Sequence, residues 1–486
     1  MTPQREPKDD TSEEPGIPVG LRMTPKYVGR NTAMEWEKKK VLVVGMARSG
    51  VAAAQLLRAS GAEVTVNDSK SEEELGEQLK PLEGLQLTRR FGCGAMELLE
   101  GHDCLVISPG IPDTAPFVVR AREMGIYVVG ELELAAQLSR GTLVAVSGTN
   151  GKTTTVSLLG DIFANSGRVT HVVGNIGYPF SLAALVSHPE DVMVCEVSSF
   201  QMETADTFHP HVALLTNITE DHLNRHGTME VYTAMKMRMF RNQTPDDYAV
   251  FNADDPGLEG LSEQVKGHVL MFSRKREVKE GAFVRDGQIM IRLGNSEKKV
   301  CGTEEVRIPG PHNLENALGA VCAAAAMDVP IPVIRHSLKT FPGVEHRIES
   351  VRELDGVEYI NDSKGTNVDS TIKAVQTMTA PTVIILGGYD KHTSFDPLSQ
   401  EIASGSMIRE VVLIGETAEM IEKSLRKAGY RSIHHAGSMH EAVELARSLA
   451  GKGWNVLLSP ACASFDMFKD YEERGRIFKQ IVNELV

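Results

Sequence analysis

Short apolar runs recur along this chain, most of them closing on glycine, asparagine or aspartate and most followed by a stretch of helical period. VLVVG (41–45), AEVTVND (62–68), CLVISPG (104–110) and IYVVGE (126–131) read as buried strands. Between the first two, MARSGVAAAQLLRASG reads as a turn entering a helix that stops at Gly61. LVAVSGTNGKTTTVSLL (143–159) is a strand, a tight Gly/Asn loop and a helix start in immediate succession. VMVCEVSSFQME (192–203) and HVALLTNITEDHLNRHG (211–227) are strands that end in polar clusters, and FNADDPG (251–257) ends a strand in a turn. GAFVRDGQIMIRLG (281–294) reads as a hairpin, and PGPHNLENALGAVCAAAAM as a small-residue helix beginning near Asn313. After FPGVEHRIE (341–349) the alternation resumes with VEYINDS, TVIILGG, EVVLIG, SIHHA and NVLLSP, separated by helical stretches.

Strands alternating with helices predict an α/β class of mostly parallel sheets. The shifts in pattern divide the chain into four parts: an extension over 1–37, a Rossmann-like unit over 38–140, a central P-loop ATPase-like unit over 141–342, and a Rossmann-like C-terminal unit over 343–486. The length agrees, since 486 residues suit about three domains of roughly 150 residues.

Composition narrows the class further. A hydrophobic share of 42% and a charged share of 24% are ordinary for a globular protein. The net charge of -14 argues against a nucleic-acid partner, which favours a basic face, and leaves small anionic ligands open. No run of about 18 apolar residues is present, so no membrane span is expected. The six cysteines lack metal-ligand spacing and read as reduced cytoplasmic thiols. Residues 1–37, rich in Pro, Glu, Asp and Lys, read as a disordered extension without the apolar core of a signal peptide.

The chemistry concentrates at strand ends. In SGTNGKTT, Gly148 and Gly151 let the backbone approach a polyphosphate while amides at the helix start point at it. Lys152 can reach the outer phosphates, and the hydroxyl of Thr153 can ligate magnesium. Val146 replaces the first glycine of the generic pattern, but the flanking strand and helix supply its context. Glu196 and His222, at the ends of strands flanking that loop, are candidates for the surroundings of that metal. Gly45, Ala47 and Gly50 nearly make a dinucleotide fingerprint with Asp68 placed to meet a ribose, which leaves a redox cofactor or a nucleotide-linked substrate open. Lys236, Arg238 and Arg241 share a methionine-rich helix whose simplest reading is a solvated basic face. Asn313 and Asn316 share a helix face, as a cap or as amide contacts to a base or phosphate. NDSKGTN (361–367), GGYDK (387–391) and SPACASFD (459–466) load three strand ends of one sheet, with Lys364 and Lys391 suited to an anionic substrate.

Taken in order, SGTNGKTT, GNIG, EVSSFQ, NITEDHLNRH, the helix with Lys236, NAD, PGPHNLEN, HR and NDSKGTN resemble the Mur ligase family over nearly all of the chain after residue 37. The C-terminal motifs resemble those of members that add D-glutamate, and no DNPR-type motif of the diaminopimelate-adding members is present. The resemblance implies an ATP-dependent ligase that joins D-glutamate to UDP-N-acetylmuramoyl-L-alanine through an acyl phosphate, a cytoplasmic step of peptidoglycan precursor synthesis. It implies ATP contacts from Gly148, Thr149, Asn150, Gly151, Lys152, Thr153, Thr154, Asn313, Asn316, Arg347, Asp362 and Lys364. Two magnesium ions are implied near Thr153, Glu196, His222 and Lys236, the last as a carbamate. Ser49, Asp68, Ser69, Lys70 and Gly110 would hold the uridine diphosphate, and Asn175, Ser198 and Gln201 the rest of that substrate. Thr366, Lys391, Ser464 and Phe465 would receive D-glutamate, with Tyr471 near its pocket. The expected form is a monomer whose third unit closes on its ligands.

Overall fold

The computed structural model describes residues 35–391 and 393–486; residues 1–34 of the expected extension lie outside them. Trp36 is already packed in the core at 4% exposure, so the folded chain starts before Lys40.

The first sheet holds β1 (Lys40–Val44), β2 (Glu63–Asp68), β3 (Thr88–Phe91), β4 (Cys104–Ile107) and β5 (Tyr127–Gly130), ordered β3-β2-β1-β4-β5. All its pairings are parallel. The second sheet holds β6 (Thr142–Ser147), β7 (Thr170–Gly174), β8 (Val192–Glu196), β9 (Val212–Leu215), β10 (Tyr248–Asn252), β11 (His268–Ser273), β12 (Gly281–Arg285), β13 (Gln288–Leu293) and β14 (Ser296–Gly302). Its order is β14-β13-β12-β11-β10-β9-β6-β8-β7, parallel from β7 to β12 and antiparallel in the β12–β13 hairpin and the β13–β14 pair. The third sheet holds β15 (Glu349–Leu354), β16 (Val357–Asn361), β17 (Thr382–Leu386), β18 (Ile408–Leu413), β19 (Ile433–His435) and β20 (Asn455–Leu458), ordered β15-β16-β20-β17-β18-β19. Only β15 is antiparallel there.

Two topological switches fix where ligands can sit. From β6 the chain runs outward through β7 and β8, then crosses back to β9, so a crevice opens at the carboxyl end of β6. In the third sheet β20 inserts between β16 and β17, bringing the loops after all three strands to one edge.

The cores are shared unequally. One continuous buried cluster joins first-sheet residues such as Val43, Val66 and Val129 to Phe180, Met193 and Phe251 of the central unit. The buried residues on the two faces of the third sheet, by contrast, all fall between Val357 and Leu485. Polar contacts reinforce the first joint from the helix Glu131–Leu138. Glu131 accepts from the Ser181 backbone N–H at 2.6 Å. The Glu133 carboxylate accepts from the backbone N–H groups of Asp206, Thr207 and Phe208, the Thr207 hydroxyl and the Gln137 amide. Among the described residues no helix is long and apolar enough to cross a membrane.

Candidate active site

The phosphate loop between β6 and the helix Lys152–Asn165 is bound on all sides by side chains from the neighbouring strand ends. Gly151 adopts a φ of 85°, and a Cβ there would lie 2.2 Å from Asn316 Oδ1. Gly148 would place one 1.9 Å from Thr216 Oγ1. Both positions need glycine on steric grounds before any ligand arrives. Asn217 accepts the Asn150 N–H at 2.8 Å and donates to the Asn150 carbonyl, while Thr216 donates to the same carbonyl at 2.6 Å. The loop is therefore preformed.

Three of the expected metal-proximal side chains meet beside it. Thr153 Oγ1 donates to Glu196 Oε2 at 2.9 Å, and the Asn175 amide donates to Glu196 Oε1 at 2.9 Å. Glu196 thus takes its partners from side chains, not from the backbone amides a purely structural carboxylate would use. Lys152 Nζ donates to the Gly148 and Thr149 carbonyls at 2.9 and 2.8 Å. Lys236 Nζ reaches the same Gly148 carbonyl at 2.8 Å from the helix Met229–Met237. At 1% exposure Lys236 is the opposite of a solvated basic residue. Burial, and then the charge of Lys152, drive its ammonium far below the usual lysine range. Arg238 and Arg241 of the same stretch serve the backbone of residues 203–206 instead. The methionines behave as filler, Met239 buried and Met237 packed against the core.

His222 stands in the left-handed region, φ 56°, at the start of a short turn, with its ring 4.8 Å from that of Phe200. Burial pushes it down to about 4, so its imidazole is neutral at physiological pH. The charge of neighbouring Asp221 opposes that lowering, and those of Lys391, Lys152 and Lys236 add to it.

A cleft lies where the helix Pro311–Ala326 faces Arg347 and Ile348, just before β15, and the helix Val368–Thr377 that follows β16. Asn316 donates to Asn313 Oδ1 at 3.2 Å, and Asn313 donates to the Pro309 carbonyl, so Asn313 is not a cap and both amides share one face as spacing predicted. The helix starts at Pro311, two residues earlier than expected, because proline suits a first helical turn. Opposite, Arg347 donates to Ser370 Oγ and to Asp362 Oδ1, and Asp362 also accepts from Ser459 at 2.7 Å. Burial raises the Asp362 carboxyl. Lys364 Nζ donates to the Tyr471 hydroxyl at 3.2 Å, and burial lowers it to about 8.

The remaining expectations divide. Ser49, Asp68, Ser69, Lys70 and Gly110 gather at the carboxyl edge of the first sheet, all at least partly exposed. Asp68 spends one oxygen on the Met46 N–H at 2.8 Å and the other on the Lys70 N–H at 3.0 Å. Ser198 and Gln201 form a reciprocal capping box on the helix Ser199–Met202, a structural use of both side chains. Ser464 is buried and Thr366 and Lys391 are half-buried at the third-sheet edge, while Phe465 is 67% exposed. Sequence reasoning missed Thr216 and Asn217, His312 inside the cleft, and Arg225, which pairs with Glu203 and covers the Phe200 ring at 4.4 Å. It also missed Arg474, wholly buried, which donates to the Ser363, Cys462 and Ala463 carbonyls and so joins the loops carrying Lys364 and Ser464. Those contacts are tertiary, and no local pattern announces them.

Comparison with known proteins fits this geometry. The description "Mur ligase MurD-like, N-terminal domain" matches residues 39–130, "Mur ligase middle domain" 146–324, and "Mur ligase, glutamate ligase domain" 346–462. The UDP-N-acetylmuramoylalanine--D-glutamate ligase of Thermoanaerobacter sp. (strain X514) is 46% identical over 454 residues, covering 93% of this chain and 100% of that protein. The protein of the same name from Clostridioides difficile (strain 630) is 43% identical over 453 residues, with the same two shares. Among solved structures, the UDP-N-acetylmuramate-alanine ligase MurC from Thermotoga maritima superposes with a TM-score of 0.58 at 19% identity, covering 92% of this chain and 99% of that one. MurF from Acinetobacter baumannii gives 0.59 at 16% identity, covering 91% of each chain. Three family descriptions in succession, relatives this similar over their whole length and a three-sheet fold in common lead to one conclusion: the chain belongs to the Mur ligase family.

Proposed function

We propose that this chain is an ATP-dependent ligase that forms the amide bond between UDP-N-acetylmuramoyl-L-alanine and D-glutamate, in the cytoplasm and as a monomer, for peptidoglycan precursor synthesis. What carries the reading is that relatives 46% identical to it over all of their own length bear that enzyme's name. The geometry supports it, since a phosphate loop, a carboxylate–hydroxyl pair and lysines from two units face one crevice.

The chemistry asks for charge control rather than a protein nucleophile. A carboxylate oxygen of the alanyl substrate attacks the γ-phosphorus of ATP, and ADP leaves. The amine of D-glutamate then attacks the acyl carbon of the resulting acyl phosphate. The tetrahedral adduct expels inorganic phosphate, and the ammonium proton passes to solvent. Lys152 and the loop amides hold the transferred phosphoryl group while Lys364 and Arg347 approach it from the third unit. Asn313, Asn316 and Asp362 orient the nucleotide. The first-sheet edge, with Ser49, Asp68, Ser69, Lys70 and Gly110, takes the uridine diphosphate end; Asn175, Ser198 and Gln201 line the route to the reacting carboxylate. Lys391, Thr366 and Ser464 receive the carboxylates of D-glutamate, with Phe465 and Tyr471 at the rim.

The donor set fits magnesium, because the Thr153 hydroxyl and the Glu196 carboxylate are hard oxygen ligands lying side by side. His222 and Lys236 complete the places for two ions. Bound magnesium neutralises phosphate charge that the lysines alone leave uncompensated. Lys236 in its neutral form is the nucleophile that adds carbon dioxide, giving a carbamate and releasing one proton. That product presents oxygen where the bare amine offers none.

Phosphate release with magnesium, ATP and UDP-N-acetylmuramoyl-L-alanine tests the reading. Release with D-glutamate, absent with L-glutamate and meso-diaminopimelate and matched by the amide product in mass spectrometry, is expected. Release with another amino acid overturns the specificity, and none with any overturns the ligase.

A further inference from the structure

The third unit is joined to the phosphate loop by a small polar knot whose centre, Asp369, has no assigned role. Asp369, in the first turn of the helix Val368–Thr377, accepts through Oδ2 from the Asn150 side-chain amide of the phosphate loop. The same oxygen accepts from Thr219 Oγ1, in the loop after β9, at 3.3 Å. One residue before the helix, Asn367 donates to Asp221 at 3.4 Å, beside His222. Lys373, one turn along, pairs with Asp369 at 3.0 Å and lines the nucleotide cleft with Arg347 and Asn316.

From this knot we infer that Asp369 is a positioning residue that holds the third unit closed over the phosphate loop. Its carboxylate is the shared acceptor for two donors from the central unit. Lys373 offsets its charge, so the latch can stand beside a triphosphate without repelling it. Closure brings Lys364, Arg347 and Lys391 to the crevice, so the latch acts on the affinity of ligands bound between units more than on the chemical step. The inference rests on the proposed ligase reaction only for its kinetic half; the shape of the empty protein tests it independently.

The experiment is small-angle scattering of the full-length, ligand-free protein with melting and steady-state kinetics, on D369A, T219V and the double variant. D369A is expected to enlarge the radius of gyration and to raise KM for ATP about tenfold, as loss of a charged hydrogen-bond acceptor does, with kcat within about twofold. T219V leaves the helix untouched and is expected to move both quantities less in the same direction. The double variant should be no worse than D369A alone. A lower melting temperature with unchanged radius and KM would mean that Asp369 merely stabilises its own helix, and would overturn the latch. So would additive effects of the two substitutions.

Discussion

Lys236 carries the sharpest conflict between stability and use at the scale of single residues. A fully buried amine whose proton affinity is driven down is a cost of folding, because the unfolded chain binds that proton more tightly than the folded one. Its folded pKa lies below the unfolded value, so this penalty is fullest at low pH and fades as pH rises toward the ordinary lysine range. Lys236→Met is therefore expected to raise the melting temperature while lowering kcat by about a hundredfold or more, as loss of a preorganised charge does. Carbon-13 NMR in labelled bicarbonate should show a carbamyl signal in the parent that is absent from the variant. Lys364 titrates within reach of experiment. With its ammonium lowered to about 8, the charge that meets phosphate is intact below that pH and lost above it. The kcat/KM for ATP should fall on the alkaline side with an apparent pKa near that value, and Lys364→Arg should remove this limb at some cost in rate. The loop residues were legible in the sequence because backbone and phosphate chemistry dictate them locally. The burial of Lys236 was not, since the same spacing on a helix also describes a solvated face; only the family resemblance singled it out.

At the scale of elements, strand ends did most of the work, and they were the easiest features to read. β2 ends at Asp68 and β8 at Glu196, where turn chemistry placed them, and the β12–β13 hairpin lies where its alternation predicted. The strand expected at SIHHA shrinks to Ile433–His435, an edge position whose partly exposed side chains supply little apolar burial to extend it. What local pattern could not supply is the fastening between elements. Arg474, from the helix Tyr471–Glu484, ties the loop after β16 to the loop after β20 through backbone carbonyls, with no acidic partner in contact among the described residues. Arg474→Met leaves those carbonyls buried and unmatched. A loss of about 2–4 kcal/mol in unfolding free energy by denaturant titration is expected, with a raised KM for D-glutamate because Ser464 loses its support.

At the scale of the whole molecule, the continuous core and the Glu133 anchorage join the first and central units, while the third keeps an apolar core of its own and is held to them by polar contacts, so the first two are expected to move as one body. Glu133→Ala strips the acceptor from five donors and should cost about 3 kcal/mol or more, read as an earlier unfolding transition, while ATP affinity stays close to the parent. Addition of ATP with the uridine substrate should compact the Asp369 variant measured by scattering; an unchanged profile would argue against closure by the third unit.

The uneven sharing of the core also bears on inheritance. A unit whose apolar core is its own can be replaced, or can drift in sequence, without repacking the apolar cores of its neighbours. The residues proposed for the incoming amino acid all sit on that unit, whereas those proposed for the uridine diphosphate sit on a unit that shares its core with the central one. Such a chain can change which amino acid it adds by altering one self-contained module. A change of carrier substrate would require two units to be recast at once.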